Sequence, residues 1–291
     1  MSITTVVRAR SPRSSGGWRP SALRRGRTRG RIPIGVVLSL ATLAIVVSWS
    51  LFPGLFTGQD PTRGVPAEAF QGPSLQHWFG TDHLGRDEFA RVVHGTASSV
   101  KSALVAVAIG VLVGGLVGLL AGFIGGWVDV TLARLVDVLL AIPSFLLAVV
   151  VVSALGFETI NAAIATGVSA VAVFARVMRS EVIKTRRAVF VEASLLLGGS
   201  RWHVLLRHVL PNASGSVLNL AVLQFGLSIL VIAGLAFLGY GDPPPASDWG
   251  LLISSGKDYP LAPWLVYAPA LVTIATVLSA NRISRWIRKT D

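Results

Sequence analysis

Apolar residues in this chain come in long blocks separated by polar stretches. Six blocks stand out, at roughly 34–52, 102–125, 135–155, 159–178, 214–238 and 264–284. Each approaches the ~20 residues a helix needs to cross a hydrocarbon core of about 30 Å. Backbone inside lipid must satisfy its own hydrogen bonds, so blocks of this length predict transmembrane helices. The fold class is therefore an all-α integral membrane protein with six spans. Composition agrees, with 52% hydrophobic and 14% charged residues and a mean hydropathy of +0.66.

Within the blocks the pattern carries more detail. Gly110, Gly114, Gly118, Gly122 and Gly126 recur every fourth residue, a ridge that lets a second helix approach backbone to backbone. Pro143 removes one helical hydrogen bond and predicts a kink in the third span, a candidate hinge. From Asp87 onward Phe89, Val92 and Val93 fall near helical spacing, which predicts an amphipathic helix lying along the outer surface and leading into span two. Asp137 is the ionisable residue most within a span, with Arg134 three residues before it as the expected partner. Asn219, Gln224 and Asn281 are uncharged candidates for interhelical hydrogen bonds or for lining a pathway.

Charge then orients the chain. Residues 1–31 hold nine arginines and no acidic residue, a composition that predicts a disordered tail. Arg24 and Arg25 before an apolar run resemble an export or transit leader, but the run is long and no cleavage pattern follows it. Residues 179–211 hold six Lys or Arg against two Glu, and residues 241–263 three Asp against one Lys. By the positive-inside rule both termini and the 179–211 segment are expected in the cytoplasm. The layout is a tail (1–31), a first span (32–53), an extracytoplasmic loop (54–101), a five-helix core (102–284) and a short tail (285–291). The net charge of +12 does not form one basic face interleaved with aromatics, so nucleic acid is not an expected partner.

One stretch does not suit lipid. "VEASLLLGGSRWHVLLRHVLPN", residues 191–212, carries Glu192, Arg201, His203, Arg207 and His208, and breaks at Gly198 and Gly199. Ser200 is placed to cap a second short helix that Pro211 is expected to end. In that helix Trp202, Leu205, Leu206, Val209 and Leu210 share one expected face, with His203, Arg207 and His208 on the other. Such a segment is either an interfacial helix or a docking element for a cytoplasmic protein.

The stretch resembles the EAA loop of ATP-binding-cassette importer permeases, with Glu192, Ala193, Gly198, Leu210 and Pro211 at matching positions. Ser194 and His208 depart from that pattern, replacing a second alanine and an isoleucine. "FGTDHLGRDEFARVVHG", "GGWVDVTLARLVDVLLAIPSFLLA", "RHVLPNA" and "FLGYGDPPPASDWG" resemble, in order, signatures of the second permease subunit of dipeptide and oligopeptide importers. The resemblance implies a type I importer permease fold with a coupling helix in the 179–211 loop. Glu192, Ala193, Ser194, Gly198, Arg201, Trp202, His208, Leu210 and Pro211 would then meet a separate ATPase subunit. It also implies alternating access with a homologous second permease, two ATPase subunits, an extracytoplasmic solute-binding protein and a peptide cargo. Relatives of the same architecture carry nickel or other small solutes.

Some chemistry is missing from the sequence. It contains no G-x-x-x-x-G-K-[ST] phosphate loop, so ATP and Mg2+ belong to the expected partner subunits and this chain is expected to hold no cofactor. There is no cysteine, which excludes thiolate metal sites and cysteine nucleophiles. The five histidines are His77, His83, His94, His203 and His208. A spacing of five keeps the last two off one face of a regular helix, so metal ligation is not expected. An intramembrane enzyme would need converging acid, base or metal groups at depth, which the sequence does not offer. A stand-alone transporter or channel would leave the 191–212 stretch without a task.

Overall fold

The computed structural model describes residues 33–290, so the expected tail at 1–31 lies outside the described residues. The elements are α1 (Ile34–Leu51), α2 (Glu88–Ile109), α3 (Gly115–Ile124), α4 (Gly126–Ala141), α5 (Ser144–Leu155), α6 (Thr159–Arg186), α7 (Val189–Leu196), α8 (Arg201–Val204), α9 (Leu210–Phe237), α10 (Trp249–Gly256) and α11 (Trp264–Thr290). A π turn, Gly110–Gly114, joins α2 to α3, and another, Leu205–Val209, joins α8 to α9. Among the described residues, five helices are long and apolar enough to cross a membrane, and the bent pair α4–α5 makes a sixth if counted as one span.

Helix α6 is the central post, packing against α2, α3, α4, α5 and α9. Small residues make this closeness possible. A Cβ on Gly110 would lie 2.6 Å from the Phe174 ring, and one on Gly122 would lie 2.9 Å from Val182. At Gly114 and Gly118 the obstacles are the α6 carbonyl oxygens of Val171 and Ala175. Gly126 departs from the expected ridge. It lies past a break at Gly125, where φ is +74°, and no atom comes within 4 Å of where its Cβ would be.

Two further expectations are corrected. The segment after Asp87 is not a surface-lying helix, because Glu88–Ile124 runs as one helix of 37 residues. Nothing between Asp87 and Gly125 breaks it, and at its start Ala90, Val92 and Val93 are fully buried. Pro143 marks a break rather than a kink. Ile142 is extended at ψ 129°, the conformation that a following proline favours, and α4 and α5 meet at 92°. Helix α11 continues to Thr290, past the last apolar block.

The loop end of the bundle, carrying residues 52–87 and 238–263, is knitted by long-range bonds. Trp264 Nε1 donates to the Thr81 carbonyl (3.2 Å), and Thr159 N donates to the Asp242 carboxylate (2.9 Å), which satisfies one free amide at the start of α6. Trp249 is fully buried, its Nε1 donating to the Val92 carbonyl at 3.3 Å.

Candidate functional site

The 191–212 stretch lies at the opposite end. Helix α7 ends at Leu196, and the chain turns through Gly198, where φ is +87°, a conformation that glycine adopts without steric cost. Gly199 N donates to the Ser194 carbonyl at 3.0 Å, closing the last turn of α7. A Cβ on Gly199 would stand 2.7 Å from that oxygen, so this second glycine is needed for close approach. Ser200 Oγ accepts from His203 N at 3.2 Å, capping α8 as its position in the sequence suggests.

The buried face of the second helix differs from the expected one. Val204, Leu205 and Val209 are buried, joining Val191, Phe174, Met178 and Val182 in one cluster. Trp202 and Leu206 point outward, 69% and 59% exposed. Pro211 does not end the helix. The π turn before it shifts the hydrogen-bond register, with Leu210 N donating to the Leu205 carbonyl, and the chain continues helically to Phe237. The same turn brings together the rings of His203 and His208, with centroids 5.9 Å apart, although a regular helix would point them apart. Phe190 of α7 meets the His208 ring at 6.2 Å.

The residues singled out in the sequence are all at least partly accessible. Glu192, Ala193, Gly198, Arg201, Trp202 and Pro211 are exposed, while Ser194, His208 and Leu210 are half-buried. Sequence reasoning missed the apex: Leu196 and Leu197 are 88% and 89% exposed. The signal was present, because a leucine run has no reason to precede a glycine turn unless something covers it. Arg186 braces the segment from α6, its Nη1 donating to the Phe123 carbonyl at 2.8 Å at the end of α3.

Charge pairs tie α4 to α6. Asp137 pairs with Arg176 at 2.8 Å, correcting the expected Arg134 partner, and Arg179 grips Asp129 with two bonds of 2.5 and 2.8 Å. Both are contacts between helices, whereas the sequence argument considered only neighbours on one helix. Of the polar candidates, Asn219 accepts from Ser284 Oγ of α11 at 2.9 Å.

A buried charge network, which sequence reasoning also missed, lies at the loop end. Asp82 accepts from Arg86 Nε (2.7 Å), Arg91 Nη1 (2.8 Å) and the amides of Leu84 and Arg86 (both 2.9 Å). Burial pushes this carboxyl upward, but the Arg86 and Leu84 amides and the Arg91 and Arg86 charges outweigh it and hold the group below the usual carboxylate range. His77 Nδ1 lies 2.9 Å from Asp87, whose other oxygen caps α2 at Ala90 N. Asp248 caps α10 through Gly250 and Leu251, and its burial raises it.

The fold of this chain also occurs in solved importer structures. A chain of the MetNI methionine ABC transporter in an inward-facing conformation aligns with a TM-score of 0.53 at 16% identity, covering 68% of this chain and 96% of that one. A chain of an amino acid ABC transporter aligns with a TM-score of 0.54 at 15% identity, covering 69% and 94%. The fold is that of a type I ABC importer permease. In sequence, the family described as "Binding-protein-dependent transport system inner membrane component" matches residues 114–290. The dipeptide transport system permease protein DppC of Alkalihalophilus pseudofirmus is 36% identical over 86% of this chain and 84% of its own length. The glutathione transport system permease proteins GsiD of Shigella flexneri serotype 5b and Escherichia coli O6:K15:H31 are 42% and 40% identical over 75% of this chain and 72% of theirs. The chain belongs to this family of inner-membrane permease components of ABC importers, within its dipeptide and oligopeptide branch.

Proposed function

We propose that this permease moves peptides inward by alternating access, with the α7–α8 surface docked in a groove of a separate ATPase subunit that binds ATP and Mg2+. The observation that carries this reading is the apex, where Leu196 and Leu197 stand almost fully exposed on a turn otherwise bordered by charge. Apolar side chains held out on a rigid turn match a protein groove better than water or lipid headgroups. A homologous second permease, a second ATPase and an extracytoplasmic binding protein complete the assembly. The names of the relatives, dipeptide and glutathione permeases, support a short peptide as cargo. The surplus of Lys and Arg over residues 179–211 supports a cytoplasmic position for the docking end and for both termini.

The test is Gly198→Trp in the reconstituted four-subunit complex, with transport and ATP hydrolysis measured together, with and without the binding protein. The positive φ and the bulk at the apex are expected to leave insertion intact and to reduce transport at least tenfold. Normal transport with normal stimulation of hydrolysis sinks the docking assignment.

A further inference from the structure

The histidine pair on the α8–α9 segment has a geometry that importer function does not account for. In a regular helix, residues five apart lie about 140° from one another around the axis. A π turn accommodates about one more residue per turn and removes most of that angle. The turn at Leu205–Val209 lies between His203 and His208, and their rings come to 5.9 Å with an interplanar angle of 72°. Phe190 flanks His208 at 6.2 Å and restricts its ring. His203 is exposed and His208 half-buried, so the pair is reachable from solvent. Among the described residues, no hydrogen bond is made by a ring nitrogen of either.

We propose that His203 and His208 form a two-nitrogen site for a divalent transition metal ion of the Zn2+, Ni2+ or Cu2+ type. Imidazole nitrogen favours these borderline ions over Mg2+ and Ca2+, which prefer oxygen ligands. No third His, Asp or Glu joins the pair among the described residues, so water completes the coordination sphere. Arg201 and Arg207 are also exposed on this segment, which removes any general attraction for cations and leaves directional nitrogen coordination as the source of affinity. The bound ion would clasp two turns of the segment and fix the register of the wide turn.

The experiment uses the full-length chain in detergent, purified on a tag without histidine. Electron paramagnetic resonance with Cu2+ is expected to show two nitrogen ligands, and calorimetry with Zn2+ one ion per chain. His203→Ala and His208→Ala should each weaken Zn2+ binding at least tenfold, while His94→Ala leaves it unchanged and Mg2+ gives no binding heat. A copper spectrum with a single nitrogen, or Zn2+ affinity unchanged in both single variants, overturns the proposal.

Discussion

Gly118 of α3 meets the carbonyl oxygen of Ala175 on α6 so closely that no Cβ fits between them. The same Cβ would lie 2.8 Å from Met178 Cβ and 2.9 Å from Arg179 N. Backbone cannot move aside as a flexible side chain can, so Gly118→Leu must separate the two helices. The expected cost is about 1–3 kcal/mol or more, as for overpacked cores. A lower melting temperature in detergent, with loss of monodisperse protein, checks this. Gly115→Ala is the control, because its Cβ would meet only Met178 Cε at 3.7 Å, and it should be tolerated.

Trp249 fastens the loop end to α2. Trp249→Ala should leave a cavity and cost roughly 3–5 kcal/mol. Trp249→Phe keeps most of the packing and loses the bond to the Val92 carbonyl, a net cost of about 1 kcal/mol. Thermal unfolding of the two variants side by side should reproduce this order, and equal melting temperatures would show that the indole bond outweighs its volume.

Asp82 predicts an acid limit. Its folded-state pKa is lowered, so its contribution to stability is fully present above the unfolded carboxylate value near 4 and is lost as pH falls through the folded value. Melting temperature should therefore decline from about pH 4 downward. Asp82→Asn should flatten part of that decline while costing about 3–5 kcal/mol at neutral pH, because it leaves Arg86 and Arg91 without their shared carboxylate.

The proposed orientation can be read with reporter fusions. Fusions after Gln71 and Pro244 should report the outside, and fusions after Arg187 and at the C-terminus the cytoplasm. A cytoplasmic signal after Gln71 would reverse the placement of the docking surface.

The hydropathy blocks disclosed most of the helices because lipid imposes one length rule on all of them. The four-residue spacing of Gly110 to Gly122 and the glycine turn at 198–199 were equally readable, since each is a local steric demand. Asp137 was matched to the wrong arginine because its partner lies 39 residues away on another helix. The Asp82 network was invisible for a related reason: its arginines look like surface charge until Leu252, Ser255 and Gly256 of α10 are packed beside them. Pro211 misled because the π turn that accommodates it leaves no mark in residue type.

That accommodation has a mechanical result. From Arg201 to Phe237 the chain is one helix of 37 residues, about 55 Å long. At its far end the Phe237 carbonyl accepts from Ser254 Oγ of α10 at 2.9 Å. The end that we propose docks and the opposite end of the bundle thus share a single shaft, with no joint at the proline to absorb motion. A tilt of a few degrees imposed at Trp202 would swing Phe237 by several ångströms, so events at one end arrive at the other as leverage instead of as a relay of separate steps.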